Sequence, residues 1–302
     1  MPQTRPRYGK LAALNFELNH EIQDKSPRQI AKANRQGESL RKIAKMSTDP
    51  RSNRHYRTES DARRALVSAC LQMNPLGINQ GKSGNISLRW HRGGDDGYLI
   101  TPSALPYEHM QPDDIIWLAL DHDVDAAVTP ASARVFPGTI PGASRGLRPS
   151  SEWRMHQMIY ADVPANQASA VVHTHSSFAT TLACLPVTRT VGIPAFHYMI
   201  AVAGGIDIRC APYETFGTQA LSDSARTALQ GRRACLLANH GQLAYGDSLD
   251  NALALAVEVE ALAKMYWQAL QLGTPAILDD SQMQQVIEKF KHYRSPLDGA
   301  EP

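Results

Sequence analysis

The segment Val171-Val172-His173-Thr174-His175 constrains this chain more than any other. A short apolar run, Ala168-Ser169-Ala170-Val171-Val172, leads straight into two histidines spaced two apart. Such a run reads as a buried strand. On a strand the side-chain period is two, which sends both imidazoles to the same face. A second apolar run, Ala234-Cys235-Leu236-Leu237-Ala238, ends in Asn239-His240-Gly241. If the fold lays the two runs side by side, His173, His175 and His240 make a three-imidazole site. Three neutral imidazoles with an open position form the ligand set of a catalytic Zn²⁺ or a similar divalent cation. The open position lets the ion act as a Lewis acid on a substrate oxygen. Each histidine alone also has a plainer reading, as a hydrogen-bonded residue at a strand end. With eleven histidines in the chain, chance pairs are expected, so the surroundings must decide.

The 302 residues allow one large domain or two small ones, and 43% hydrophobic with 20% charged residues is ordinary for a globular protein. No stretch approaches the roughly 18 apolar residues of a membrane span, and Met1-Pro2-Gln3-Thr4-Arg5 leads into no secretory h-region. Cys70, Cys184, Cys210 and Cys235 are scattered, which reads as free thiols in a reducing, cytoplasmic setting. Charge is uneven. Residues 1–58 carry 13 Lys or Arg against 5 Asp or Glu, while the whole chain is only +2. The expected division is a basic extension over 1–57, solvated or partly helical, and a catalytic domain over 58–302. Met46 is an alternative start. Tyr8, Phe16 and Tyr56 are isolated, so the extension lacks the stacking platform of a nucleic-acid binder.

From Thr58 the pattern becomes regular. Thr58-Glu59-Ser60-Asp61 resembles a capping box, and Ala62, Ala65, Leu66, Ala69, Cys70 and Met73 recur at helical spacing. Strands are expected at Gly84–Trp90, Gly97–Thr101 and Ile115–Leu120, with Ile86, Leu88 and Trp90 on one face. Residues 128–148 form a Pro/Gly/Ser loop containing Arg134, Arg145 and Arg148. Helices are expected from Ser150, from Ser177 to about Leu185, at Phe196–Val202, Thr218–Leu229 and Ser248–Leu272, and from Ser281 to Tyr293, with a strand at Asp207–Cys210. Irregular alternation with short spacing argues for a three-layer αβα fold, a largely antiparallel sheet between helices.

Three further motifs bear on chemistry. Ser150-Ser151-Glu152 opens a helix, where unpaired N–H groups favour an anion and a carboxylate can serve as general acid or base. Gly81-Lys82-Ser83-Gly84-Asn85-Ile86-Ser87 is glycine-rich but lacks the P-loop spacing, so nucleotide binding is not expected. Thr101-Pro102-Ser103 offers two hydroxyls at a turn. Each also reads as an ordinary cap or turn.

Together these motifs, with Ile193-Pro194-Ala195-Phe196-His197-Tyr198-Met199-Ile200, Ala203-Gly204-Gly205, Ala211-Pro212-Tyr213 and Phe216-Gly217-Thr218, resemble the class II aldolase/adducin family over roughly residues 60–294. The resemblance implies that His173, His175 and His240 hold Zn²⁺ and that Glu152 shuttles a proton beside it. It implies that Asn85, Ser103, Ser150 and Ser151 hold a substrate phosphate. Tyr198 would reach a neighbouring subunit's site, and Phe216 and Tyr293 would lie near an aldehyde pocket. The implied activity is cleavage of a phosphorylated sugar, a ketose 1-phosphate such as L-fuculose 1-phosphate, to dihydroxyacetone phosphate and a small aldehyde. A homotetramer with interface active sites is implied too. Same-fold alternatives are a phosphosugar-acid decarboxylase, a pentulose-phosphate epimerase and a methylthioribulose-1-phosphate dehydratase. A glutamate at 152 favours the aldolase over the epimerase, which carries aspartate there. A more distant alternative is a non-enzymatic interaction protein like adducin. One departure stands out: the family's phosphate turn reads Thr-Pro-x-Gly, and Ala104 replaces the glycine. If that position needs a positive φ, alanine strains it.

Overall fold

The computed structural model describes residues 56–92, 94–120 and 146–292. The extension up to residue 55, most of the 128–148 loop with Arg134 and Arg145, and Tyr293 lie outside the described residues.

Helix α1 (Glu59–Met73) begins at a true capping box: the Thr58 hydroxyl accepts from the Asp61 N–H, and the Asp61 carboxylate accepts from the Thr58 N–H. Its apolar stripe of Ala62, Leu66, Ala69, Cys70 and Met73 is buried, as the spacing predicts. Seven strands then build one sheet: β1 (Asn85–Arg89), β2 (Gly97–Ile100), β3 (Ile116–Ala119), β4 (Ala170–Thr174), β5 (Cys210–Ala211), β6 (Ala234–Leu237) and β7 (Gly241–Gly246). Their order is β3-β2-β1-β4-β7-β6-β5, and every pairing except β5–β6 is antiparallel. The expected largely antiparallel sheet is therefore present.

Helices cover both faces. Ile86, Leu88, Val172, Leu236 and Ala244 share one core with α1, α3 (Ser177–Ala183) and α6 (Leu249–Leu272). Val171, Cys235, Leu237 and Leu243 share the other with α2 (Trp153–Asp162) and α5 (Gln219–Ala228). This is the three-layer arrangement that sheet and helices need to bury their apolar faces. It also explains why β1 and β4 are buried on both sides: Ser87 is as inaccessible as Ile86 and Leu88.

The centre of the sheet carries the histidines. In register, Asn85 lies opposite His173 on one side of β4, and Leu243 lies opposite it on the other. The hairpin joining β6 to β7 is a three-residue turn, Ala238-Asn239-His240, with Asn239 at φ 55. So His240 sits on the turn beyond β6, beside the end of β4. Glycine at 241 is required by close approach, since a Cβ there would lie 2.3 Å from the Thr174 carbonyl oxygen. Helix α6 anchors the segment after β4, because the buried Glu260 carboxylate accepts the Phe178 and Ala179 N–H groups at the start of α3.

Three local expectations change. The segment expected as a helix over Phe196–Val202 is a 3-10 helix at Tyr198–Ala203; Gly204, at φ 98, ends it after two turns. The expected strand Asp207–Cys210 shrinks to Cys210–Ala211, with Ile208 making only a bridge to Ile193. A short helix α4 (Pro186–Val191) is an addition to the expected elements; Pro186 opens it and Gly192 closes it. The final helix, α7, spans Asp280–His292.

Candidate active site

Four side chains converge where β4, the β6–β7 turn and the start of α2 meet. Ligand atoms of Glu152, His173, His175 and His240 all lie within 4.8 Å of one another. The three imidazole centroids are 4.8–5.0 Å apart pairwise. His173 on β4 and His175, one residue past its end, enter the same cluster, as the period of two suggests.

The donor set fits a divalent cation on the chemistry of its own atoms. His173 Nδ1 faces the Gln242 carbonyl oxygen at 2.9 Å. A carbonyl only accepts, so Nδ1 carries the proton and, in the neutral ring, Nε2 turns its lone pair inward. That Nε2 lies 3.1 Å from His175 Nε2 and 3.1 Å from Glu152 Oε2. Glu152 Oε1 lies 3.1 Å from His240 Nε2, out of hydrogen-bond alignment, so this buried oxygen has no hydrogen-bond partner. Electron-rich atoms crowded around a common point, with one buried oxygen unsatisfied, is what a cation would resolve. His173, His175 and His240, with the Glu152 carboxylate beside them, are the residues that can hold it.

Electrostatics bind the cluster together even without the ion. Burial would raise the Glu152 pKa, but the charge of His173 and contacts with His173 and His240 outweigh it and hold the carboxyl far below the usual range. Burial would lower His173, but the Glu152 charge overrides it and raises its pKa. His175, pressed by burial and then by the charges of His173 and His240, falls to about 3.

A pocket of about 270 Å³ opens over the cluster, lined by Ser83, Ser151, Tyr213, Glu214, Phe216 and Asn239 with Glu152, His175 and His240. Just before Ser151 two segments pair through the backbone. The Ser103 N–H donates to the Arg148 carbonyl, and the Ser150 N–H to the Thr101 carbonyl. This brings Ser103 close to Ser150 and Ser151, of which only Ser151 lines the pocket. Ala104, next to Ser103, stands at φ 61, so the position does need a positive φ; the Lys82 ammonium donates to its carbonyl at 2.8 Å.

Not every anticipated residue arrives in this chain's pocket. Phe216 lines it and is exposed. Asn85 is buried, its amide donating to Glu152 Oε2 at 2.9 Å, which leaves one N–H for another acceptor. Tyr198 is exposed on the 3-10 helix and does not line the pocket. Tyr213, Glu214 and Asn239 are not among the anticipated site residues. Tyr213 and Asn239 lie within motifs that carry the family resemblance, and Glu214 has only its place between Tyr213 and Phe216.

A histidine cluster at the centre of a largely antiparallel sheet under two helical layers is the frame of a metal-dependent enzyme. Residues 64–267 match the model of the Class II Aldolase and Adducin N-terminal domain. Over 232 residues the chain is 46% identical to the 5-methylthioribulose-1-phosphate/5-deoxyribulose-1-phosphate aldolase of Rhodospirillum rubrum, covering 76% of this chain and 91% of that protein. It is 41% identical over 231 residues to the L-fuculose phosphate aldolase of Escherichia coli, covering 76% and 94%. A solved L-fuculose 1-phosphate aldolase superposes with a TM-score of 0.64 at 36% identity, over 76% of this chain and 96% of the other. The chain belongs to the class II aldolase and adducin family, and it is a metal-dependent aldehyde-lyase.

Proposed function

We propose that this enzyme is a Zn²⁺-dependent aldolase that cleaves a ketose 1-phosphate to dihydroxyacetone phosphate and a small aldehyde. The observation that carries the reading is Glu152 Oε1: a buried carboxylate oxygen with no hydrogen bond, facing three imidazoles and an open pocket. Bound there, the cation supplies Lewis-acid stabilisation for negative charge developing on the substrate's C2 oxygen.

The chain's own residues do the rest. Ser103, Ser150, Ser151 and the remaining Asn85 N–H supply donors to the phosphate at one end of the pocket. When the C3–C4 bond breaks, the C4 hydroxyl loses its proton as the aldehyde forms, and C3 must gain one. Glu152, beside the cluster, moves the C3 proton. Tyr198 takes the C4 hydroxyl proton, from a neighbouring copy of the chain. Its exposure, and its place outside its own pocket, support that assignment and with it a homotetramer with interface active sites. Tyr213 and Phe216 form the aldehyde end; Tyr293, expected beside them, lies outside the described residues. Two exposed aromatic rings suit an apolar tail. This favours sugars ending in a methyl or methylthio group, the kind named for the relatives.

Residues 58–302 act as the catalytic domain, and 1–57 as a basic extension to it. No helix among the described residues is long and apolar enough to cross a membrane. Four free cysteines support a cytoplasmic setting.

The test is a product assay on 5-deoxyribulose, methylthioribulose and fuculose 1-phosphates and on phosphosugar acids, with and without chelator. Chelator-sensitive release of dihydroxyacetone phosphate is expected. Carbon dioxide, an epimer or a dehydrated ketose as the main product would overturn the assignment.

A further inference from the structure

Behind Glu152 the sheet buries a line of polar groups, and beyond Asn85, one of whose N–H groups the proposed reaction uses, that reaction leaves them unused. Asn85 on β1 holds Glu152 Oε2 with its amide nitrogen. Its carbonyl oxygen, Oδ1, lies 2.6 Å from His156 Nε2 on α2. His156 Nδ1 lies 2.6 Å from the Ser87 hydroxyl, and that hydroxyl 2.7 Å from the Tyr160 hydroxyl. Ser87 and His156 are 0% exposed, Tyr160 2%, Asn85 4% and Glu152 5%.

We propose that His156 is a positioning residue, which locks the Glu152 carboxylate through Asn85 as part of a one-way hydrogen-bond relay beginning at Tyr160.

Each link is assigned by the next. The Glu152 carboxylate only accepts, so Asn85 must present its NH₂ group to it. Asn85 Oδ1 then faces His156 and only accepts, so His156 Nε2 carries the proton. A neutral imidazole leaves Nδ1 as an acceptor, so Ser87 donates to it. Ser87, its only hydrogen committed, accepts from Tyr160. The ring, 0% exposed, is kept neutral chiefly by burial, which lowers the His156 pKa to about 3. Turning the Asn85 amide over would set its carbonyl against a carboxylate and its NH₂ against an N–H donor. The relay forbids that flip.

The consequence falls on Glu152. One oxygen is tied to a rigid element, and the other is left bare beside the imidazoles. A carboxylate that must meet a carbon-bound proton in one geometry benefits from this restraint. The spacing on α2 serves it directly. Glu152, His156 and Tyr160 stand at successive intervals of four and so line one side of the helix start.

The inference rests on the reading of Glu152 as the proton-moving group, and two experiments separate them. In the Zn²⁺-loaded, ¹⁵N-histidine-labelled protein, long-range ¹⁵N–¹H NMR is expected to show His156 neutral and protonated at Nε2. Protonation at Nδ1 instead, or an imidazolium at neutral pH, overturns the relay, and this needs no variant to fold. In kinetics, His156→Leu and Asn85→Ala should each lower kcat by about ten- to hundredfold. For His156→Leu, KM and bound metal should stay near wild type. Asn85→Ala should keep its metal but also raise KM, because it loses the phosphate N–H, and in kcat the double variant should be no slower than the slower single one. His156→Gln, which keeps an N–H donor, should recover most of the loss. Additive losses, or loss of metal in step with activity, would leave only a packing role and overturn the proposal. An active Glu152→Gln would instead sink the reading of Glu152 itself, whereas an inert Glu152→Gln beside a fully active His156→Leu would sink the relay alone.

Discussion

The regions behind and in front of Glu152 are built on opposite rules. Behind it, Asn85, His156, Ser87 and Tyr160 are buried, and each finds its partner within the protein. In front, Glu152 Oε1 has no hydrogen bond, His175 and His240 are only partly buried, and Tyr213 and Phe216 stand exposed around the pocket. Buried polar groups are stabilising only when satisfied. The rear region obeys that rule with protein atoms, save the one Asn85 N–H assigned to the phosphate. The front defers it to the ligands that enter the site. The contrast separates the groups that the fold fixes in advance from those that metal and substrate complete.

The largest effect should come from breaking the front. His173→Ala removes an imidazole at the centre of the sheet, and is expected to lose bound metal and all measurable aldolase activity together. Metal analysis beside the product assay checks this. Glu152→Gln should keep its metal but lower kcat by about 10² to 10⁴. Retained turnover would erase the distinction between the two oxygens.

The rear can be sharpened by pH. The folded-state pKa of His156 is about 3, below the ordinary 6.5. Between these values the unfolded chain takes a proton that the folded chain refuses. The contribution is therefore complete above pH 6.5 and declines as pH falls toward 3, by up to about 1.4 kcal/mol per unit. Urea unfolding of wild type and His156→Gln from pH 7 to 4 should show a shallower loss in the variant. Equal slopes would mean that His156 does not stay neutral. The smallest effect lies at the rim of the pocket. Ala104→Gly relieves an alanine at φ 61, partly offset by the freer unfolded glycine. A gain of about 0.5–1 kcal/mol is expected, and thermal unfolding reads it. No change in Tm would show that the turn was unstrained.

The front is more legible in the sequence than the rear, for a physical reason. His173 and His175 follow from a period of two on an apolar strand, and His240 from a Gly-ended turn after another. Those signals are local. Glu152 and the serines can be placed at a helix start but not in space, because only strand order brings α2 to β4. Ser87 reads as the polar side of an alternating strand. It is buried because α2 covers that face with Tyr160 and His156, a pairing across 69 and more residues that periodicity does not encode. His156 falls on the inward face of its helix, but nothing local distinguishes it from a residue of the core. The 3-10 helix at Tyr198–Ala203 escapes because apolar composition alone does not separate a tight helix from a regular one.

Metal dependence is open to a single decisive titration. Zn²⁺ is added to chelator-stripped wild-type protein, and release of dihydroxyacetone phosphate from a ketose 1-phosphate is followed. A metal held by the three histidines gives no release before addition, a linear rise, and a plateau at one equivalent per chain. Full activity in the stripped protein, or a rate indifferent to the metal added, would refute it.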